Sequence, residues 1–322
     1  MRIVFCGDVF ASSRELLRER LPRDGGDEFH VWRDRGNLAE AGRADVLIPM
    51  MFTIDAAVMD AVRPRLIQQF GTGLEGVDID AARVRGIAVA NAPGSGSNGD
   101  STAEHAILLM LAVLRQLPAA QANVRAGVLG MPLGRMMAGL TVCLYGLGTT
   151  ALAIARRLRG FGVRLIGITR DPSAPKVANY GLDGCYATAE RDAALAETDV
   201  LAVCLRLNDA TRGVVGAGVF AALKRGAILV NTARGPLVDY GALASALESG
   251  RLAGAGLDVF WQEPIPPADR LLALPNVVAT PHVAGVTDRS YAEIATVVAA
   301  NIERLRRGEE IGTPAAVGRS MR

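Results

Sequence analysis

Several residue types are scarce in this chain of 322 residues, and the scarcity of cysteine excludes two classes of protein. The four cysteines, Cys6, Cys143, Cys185 and Cys204, show no CxxC spacing, and three of them lie in apolar runs typical of buried strands. This pattern argues against a disulfide framework and gives no sign of a metal site. We therefore expect a reduced, cytoplasmic protein without a metal, whose thiols pack as small hydrophobic groups.

An excess of one charge and long apolar runs are also missing. Lys and Arg number 35 and Asp and Glu 33, so the net charge is +2, and a nucleic-acid partner is not expected. The longest apolar run, residues 106–114, is too short to cross a bilayer. The apolar start at residues 3–5 is interrupted by Gly7 and Asp8 before a signal sequence could form. We expect a soluble protein with no membrane partner.

Apolar sequence itself is plentiful, at 50% of residues, and the length fits two domains. In the N-terminal third, runs typical of strands alternate with runs typical of helices, which predicts βαβ units and a parallel sheet. The predicted strands are 3–6, 45–49, 66–70 and 88–90, and the predicted helices are 12–21, 55–62 and 77–85.

A stretch of turn-forming residues, Asn91–Gly99, follows and marks a domain boundary. We expect Asp100 or Ser101 to cap the long apolar helix that comes next. The alternation restarts near Leu140 and forms a second, larger α/β domain. Its predicted strands are 141–145, 163–168, 200–205, 227–231, 254–258 and 277–279, with a helix at 150–159.

A closing helix at 288–307 lies beyond the last of these strands and is expected to return to the first domain. The predicted domains are therefore residues 1–98 with 286–322, and residues 99–285.

The segment Thr141–Ala151 contains an apolar strand, the turn GLGTTA and the start of a helix. Glycine at 146 permits a tight turn, and glycine at 148 lets backbone amides approach a pyrophosphate. This context predicts a dinucleotide site, with an ordinary βα turn as the alternative. The expected phosphate-binding residues are Gly146, Leu147, Gly148, Thr149 and Thr150.

The end of the next strand bears on the choice of cofactor. NAD-selective sites place an acidic residue there, whereas this chain has Thr169 followed by Arg170, a pair suited to a 2′-phosphate. NADP is therefore favoured, with NAD as the alternative. Asp171 is contrary evidence, and Arg170 could instead be a solvated loop residue.

Three segments end at the same predicted sheet edge and carry reactive side chains. They are NTARG with Arg234, DVFWQEP with Glu263, and PHVAG with His282. The other two histidines, His30 on a strand and His105 in the apolar helix, are expected to be structural. Together with GLGTTA, the three segments resemble the D-isomer-specific 2-hydroxyacid dehydrogenase family over nearly the whole chain.

The resemblance implies two Rossmann-like or flavodoxin-like doubly wound parallel-sheet α/β domains, with a substrate domain built from both chain ends around a nucleotide-binding domain. It implies an NAD(P)-dependent oxidoreductase in which Arg234 holds the substrate and His282 is the acid/base, assisted by Glu263. These residue types suit the chemistry, since guanidinium binds a 2-oxo acid and imidazole titrates near neutral pH.

Further site residues follow from the resemblance alone. Backbone amides of Thr72, Gly73 and Leu74 are expected to bind the substrate carboxylate, although this loop could be a plain turn. Asp258 is expected to contact the nicotinamide amide, or to be an ordinary strand-end residue. The other expected cofactor contacts are Leu205, Thr211, Thr232, Ala233 and His282.

Departures from the family bear on the substrate. Residues 48–53 contain no arginine, which disfavours a phosphorylated substrate and leaves a small acid such as glyoxylate or hydroxypyruvate. Arg206 stands where the family often has proline, and the sequence offers no explanation for it. The alternatives are a dehydrogenase for another small acceptor and a dinucleotide-sensing protein of corepressor type. The resemblance also implies a homodimer, formed through the helix 103–117 and the arm to Arg135, unless that helix is simply core.

Overall fold

The computed structural model describes residues 1–312 except Asp24, Pro93 and Ser95, and the side chains of Ala174 and Lys176 are also outside the described part. The chain divides into two compact units. Unit 1 comprises Met1–Asn98 and the chain from Asp288 onward, and unit 2 comprises Gly99–Thr287.

Unit 1 is built on five parallel strands in the order β2-β1-β3-β4-β5, which is the flavodoxin-like arrangement. The elements are β1 (Arg2–Cys6), α1 (Ser12–Arg20), β2 (Glu28–Trp32), α2 (Leu38–Ala41), β3 (Val46–Ile48), α3 (Ala56–Val62), β4 (Leu66–Gln68), α4 (Ile79–Val84) and β5 (Ala88–Ala90). The central strands are buried and mostly apolar because both faces of the sheet are covered, and Gln68 at the end of β4 is a buried polar residue.

Unit 2 contains seven parallel strands in the order β12-β11-β10-β9-β6-β7-β8. Counted within the unit, this is the Rossmann order 3-2-1-4-5-6 with one further strand. The elements are α5 (Ser97–Leu114), α6 (Leu117–Arg125), β6 (Thr141–Tyr145), α7 (Thr149–Leu158), β7 (Arg164–Thr169), α8 (Ala174–Tyr180), β8 (Gly184–Ala187), α9 (Arg191–Ala196), β9 (Val200–Val203), α10 (Ala217–Ala222), β10 (Ala227–Asn231), α11 (Tyr240–Glu248), β11 (Leu252–Leu257) and β12 (Val277–Ala279). The two doubly wound parallel-sheet domains predicted from the sequence are confirmed.

The last helix, α12 (Asp288–Arg307), belongs to unit 1. Its buried side chains recur at helical spacing and include Tyr291, Ile294, Val298 and Ile302. Inside the unit, the buried Asn301 amide donates a hydrogen bond to Gln68 Oε1 at 2.8 Å. The C-terminal segment thus completes the core that the N-terminal strands begin.

Helix α5 begins four residues earlier than the expected cap at Ser101. Its first amide, that of Ser97, donates to Glu293 Oε2 at 3.0 Å, and the Ser97 hydroxyl donates to the other oxygen of that carboxylate. Asp100 and Ser101 lie inside the helix instead of capping it. The prediction of the cap was wrong because a carboxylate from α12 satisfies the helix N-terminus.

Most of α5 is core, since ten of its residues are buried. Glycine in β11 permits close packing, because a Cβ at Gly256 would lie 2.8 Å from Leu109 Cβ. Among the described residues, no single helix has the length and apolar character needed to cross a membrane. The pair α5 and α6 meets that test only jointly, and the pair is bent by 59°.

Candidate active site

The turn after β6 requires glycine at position 146 for two reasons. Its φ of +98° is a conformation that residues with a side chain rarely adopt. A Cβ there would also lie 2.8 Å from the carbonyl oxygen of Cys204, in the loop after β9. The turn is closed by a hydrogen bond from Gly146 N to Ile168 O at 2.9 Å. Strands β6, β7 and β9 therefore meet tightly at this point.

Helix α7 presents its first turn at the same edge. Gly148 is its N-cap and supplies no capping side chain, and the space that a Cβ of Gly148 would occupy is open. Tyr180 holds the turn by donating its hydroxyl to Gly148 O at 3.0 Å. Thr149 and Thr150 follow in the first turn, where amide groups and the helix dipole favour an anion. These residues fit the pyrophosphate of a dinucleotide.

Strand β7 ends at Thr169, whose side chain is buried and whose Oγ1 accepts a hydrogen bond from Asp171 N at 3.4 Å. Arg170 follows and is exposed. Across the turn, the Leu205 side chain lies 3.1 Å from the position of an added Cβ at Gly146. Thr211 donates its hydroxyl to Arg206 O at 2.7 Å and so closes the loop after β9. Of the expected cofactor residues in these segments, Leu205 lies directly against the glycine turn, whereas Thr169 and Thr211 lie at the end of β7 and in the loop after β9.

The turn after β10 carries Arg234. Asn231, the last residue of β10, is buried; its Oδ1 accepts from Ala233 N at 3.0 Å and its Nδ2 donates to Arg234 O at 2.8 Å. Thr232 is buried, and Arg234 Nη1 donates to Ala233 O at 2.6 Å. Sequence reasoning did not assign Asn231 a part in the site. A buried amide at a strand end, next to the arginine, is the signal that could have found it.

Gly235 brings this turn against the loop after β11. A Cβ at Gly235 would overlap the Phe260 carbonyl and lie 2.6 Å from Trp261 N, so no other residue fits without displacement. Phe260 N in turn donates to Glu263 Oε1 at 2.8 Å. The segments that carry Arg234 and Glu263 are therefore fixed to each other by backbone contact.

Glu263 and His282 form a direct hydrogen bond, with His282 Nδ1 at 2.6 Å from Glu263 Oε2. An ionised carboxylate only accepts, so Nδ1 carries the hydrogen. Nε2 is then the ring atom that can exchange a proton with a substrate. Glu263 is mostly buried at 15% side-chain exposure, whereas His282 is 28% exposed. The structure thus contains the pairing that the sequence analysis expected for these two residues.

The backbone of His282 is held in a strained conformation by Asp258. His282 has a φ of +54°, and its amide donates to Asp258 O at 2.8 Å. The fully buried Asp258 carboxylate accepts from Val283 N and Ala284 N, each at 2.9 Å, and from the Thr280 hydroxyl at 2.6 Å. These contacts fix the segment that carries His282. The nicotinamide contact expected for Asp258 stays a prediction.

Asp258 is ionised in this setting. Burial by itself raises the pKa of the carboxyl, but hydrogen bonds from His105, Thr280 and the amides of Val283 and Ala284 outweigh it and leave the pKa below its usual value. The negative charge of Asp258 is therefore in contact with the segment that follows His282.

His105 takes part in this cluster, although the sequence indicated only a structural residue. Its Nε2 lies 2.8 Å from Thr280 Oγ1 and 3.4 Å from Asp258 Oδ1. Since the Thr280 hydroxyl donates to Asp258, His105 must be the donor to Thr280. By contrast, His30 Nε2 lies 2.7 Å from Glu40 O within unit 1.

In unit 1, the loop after β4 carries the residues expected to bind a carboxylate. Gly71 has a φ of +153°. Asn91 donates its side-chain amide to Thr72 O at 2.8 Å, and Ala92 N donates to Gly71 O at 2.8 Å. Within the described residues, the amides of Thr72, Gly73 and Leu74 donate no hydrogen bond. Successive amides of this kind can bind an anion.

Comparisons with known proteins agree with this architecture. A family model described as "D-isomer specific 2-hydroxyacid dehydrogenase, NAD binding domain" matches residues 107–284. The chain is 36% identical over 296 residues to a glyoxylate reductase of Korarchaeum cryptofilum, covering 88% of this chain and 87% of the relative. It is also 36% identical over 302 residues to a D-3-phosphoglycerate dehydrogenase of Mycobacterium tuberculosis, covering 91% of this chain but 56% of that protein.

A solved structure gives the same picture. The NADPH-dependent glyoxylate/hydroxypyruvate reductase of Sinorhizobium meliloti, in complex with NADP and malonate, matches with a TM-score of 0.82 at 33% identity. The match covers 98% of this chain and 96% of that one.

Proposed function

The chain belongs to the D-isomer-specific 2-hydroxyacid dehydrogenase family and is an NAD(P)-dependent oxidoreductase, and we propose that it reduces a small 2-oxo acid of the glyoxylate or hydroxypyruvate type. The observation that carries this proposal is the 2.6 Å hydrogen bond between His282 Nδ1 and Glu263 Oε2, in segments packed against the turn of Arg234. That arrangement combines a proton donor, a carboxylate that supports its cationic form and a permanent positive charge.

The proton transfer assigned to His282 follows from its hydrogen bonding. A nicotinamide held at the dinucleotide site would supply the hydride for C2 of the oxo acid. His282 Nε2 donates a proton to the carbonyl oxygen as it becomes an alkoxide, because Nδ1 is already directed at Glu263. Glu263 stabilises the imidazolium before the transfer. In the oxidative direction the same nitrogen accepts the proton.

We assign substrate binding to two further groups. Arg234 binds and polarises the 2-oxo acid through a guanidinium that is charged at every working pH. The amides of Thr72, Gly73 and Leu74 bind the carboxylate of the substrate, which accounts for their having no partner among the described residues. The absence of arginine from residues 48–53 supports a small substrate without a phosphate.

We propose NADPH as the preferred reductant and NADH as the alternative. Thr169 supplies no carboxylate at the end of β7, where a NAD-selective site has one, and Arg170 adds a positive charge next to it. The Sinorhizobium meliloti reductase, whose structure contains NADP, is consistent with this preference.

The test is oxidation of NADPH and NADH by the purified protein across a panel of 2-oxo acids. Wild type should reduce glyoxylate or hydroxypyruvate, and His282→Ala should lower kcat by about 100-fold or more, since general acid catalysis typically contributes that much. His30→Gln, in unit 1, is the matched control and should keep wild-type turnover. Tight dinucleotide binding without turnover on any acid would instead support the dinucleotide-sensing protein of corepressor type.

We further propose a cytoplasmic homodimer. None of the four cysteines, all of which lie in the described part of the chain, forms a disulfide, which fits a reducing compartment. Helix α6 has no buried residue, and the segment that follows it exposes several large apolar side chains. Helix α6 and this segment together, residues 117–136, are called the arm. We assign a second copy of the chain as the partner of the arm.

A further inference from the structure

Two arginines, Arg170 and Arg206, lie at the same edge of the unit 2 sheet. Strand β6 has β7 on one side and β9 on the other, and Tyr145 is paired with Ile168 in β7 and with Val203 in β9. Arg170 is two residues beyond Ile168, and Arg206 is three residues beyond Val203. Since neighbouring strands are about 4.8 Å apart, the two strand ends that lead to these arginines are separated by roughly 10 Å, with the glycine turn in the middle.

The loop that carries Arg206 is held in place over this turn. Cys204 N donates to Tyr145 O at 2.8 Å, and the Cys204 carbonyl touches the turn so closely that only glycine fits at 146. Thr211 donates its hydroxyl to Arg206 O at 2.7 Å and accepts from Asn208 N at 2.9 Å. The backbone of Arg206 is therefore fixed on both sides, which makes its position suitable for a specific contact.

The guanidinium groups of both arginines are available for a ligand. Each residue is exposed, and within the described part of the chain neither guanidinium forms a hydrogen bond or an ion pair. By comparison, two other arginines of unit 2 form ion pairs: Arg157 with Asp100 and Glu104, and Arg164 with Glu197. Two guanidinium groups without an ion-pair partner in the described residues therefore follow the strands on either side of a turn that fits a dinucleotide.

We propose that Arg206 binds the 2′-phosphate of NADPH together with Arg170, an inference that rests on the dinucleotide site of the proposed function. A phosphate monoester accepts several charge-assisted hydrogen bonds, and the planar guanidinium matches it. The adenosine ribose of a dinucleotide lies at the end of the second strand of such a sheet, which is β7 here. This role explains an arginine at position 206, where the resembling family often has proline.

The proposal is tested by calorimetric binding of 2′,5′-ADP and 5′-AMP, which differ by the one phosphate in question. Arg206→Gln should weaken the binding of 2′,5′-ADP by about 10-fold or more, as expected for the loss of a hydrogen bond to a charged group, and should change 5′-AMP binding by less than about twofold. Arg170→Gln should have the same selective effect. Arg225→Gln removes an equal charge just before β10, at the N-terminal ends of the strands and so away from the glycine turn. This variant should leave both affinities unchanged.

Three results would overturn the assignment. Equal weakening of both ligands by Arg206→Gln would indicate stacking on the adenine ring, and unchanged affinities would remove Arg206 from the site. Wild-type protein that binds 2′,5′-ADP no better than 5′-AMP would exclude a 2′-phosphate site altogether. None of these results contradicts the proposed hydride transfer, because the reduction of 2-oxo acids is measured in a separate assay with NADH, which has no 2′-phosphate.

Discussion

At the residue scale, the pairing of His282 with Glu263 makes a prediction about turnover. The proposed reduction needs a protonated imidazole as the proton donor. Glu263→Gln keeps the size of the side chain but removes the charge that stabilises the imidazolium. We expect kcat for reduction to fall about 10-fold or more, because a charge-assisted hydrogen bond to the ring is lost. Steady-state reduction of a 2-oxo acid measures this loss.

The control for this substitution is another glutamate of unit 2. Glu248 lies at the end of α11 and is half exposed, and its ion-pair partner is Arg270 at 3.9 Å. Glu248→Gln removes the same charge away from His282 and should leave kcat unchanged. An unchanged kcat in Glu263→Gln would show that the carboxylate does not support the ring as a proton donor.

The residues of the proposed site differ in how readily the sequence reveals them. Arg234, Glu263 and His282 were predictable because each lies in a short motif at the end of a predicted strand. Asn231 was missed because its part depends on the shape of the turn it bonds to. His105 was missed because its partner Thr280 is 175 residues away in the sequence. Motifs identify groups that react, whereas groups that position them require the folded chain.

At the scale of elements, the loops after β10 and β11 act as one unit because they touch at Gly235. Gly235→Ala places a methyl group on the Phe260 carbonyl, so the two loops must separate. We expect a loss of about 1–3 kcal/mol or more in unfolding free energy, as for other overpacked sites. We also expect kcat to fall at least about 10-fold, because Arg234 and Glu263 move apart. Urea unfolding and steady-state kinetics measure the two effects.

Gly218→Ala is the matched control for this substitution. Gly218 lies in α10, and an added Cβ there meets no atom within 4 Å. Alanine is the better helix former by about 1 kcal/mol, so the control should unfold at the same or higher urea concentration with unchanged kcat. Equal behaviour of the two variants would contradict the steric argument.

The helices and strands also differ in how well the sequence predicts them. The central strands were found because parallel strands that are covered on both faces are continuous apolar runs. Strand β8 was missed, since it lies at the sheet edge with every residue only half buried and carries little apolar signal. The start of α5 was misplaced because Glu293, which accepts its first amide, is 196 residues away.

At the scale of the whole molecule, the arm at residues 117–136 exposes several large apolar side chains that no other described part of the chain covers. Leu129 is 94% exposed and Leu133 86% exposed. Burying a leucine side chain contributes about 1.5–3 kcal/mol, so leaving several of them in water is costly. A surface of this composition is typical of contacts between protein chains. Helix α5, by contrast, is accounted for by the core of unit 2.

The arm therefore predicts the oligomeric state. The wild-type chain should elute as a particle of twice 33.8 kDa in size-exclusion chromatography with light scattering. The double variant Leu129→Ser and Leu133→Ser should elute at the mass of one chain, because the substitutions remove apolar surface that the proposed second copy would bury. Val84→Ser removes an apolar side chain of similar exposure, 81%, from unit 1 and should remain a dimer. A monomeric wild type, or a double variant that stays dimeric, would show that the second copy does not occupy this arm.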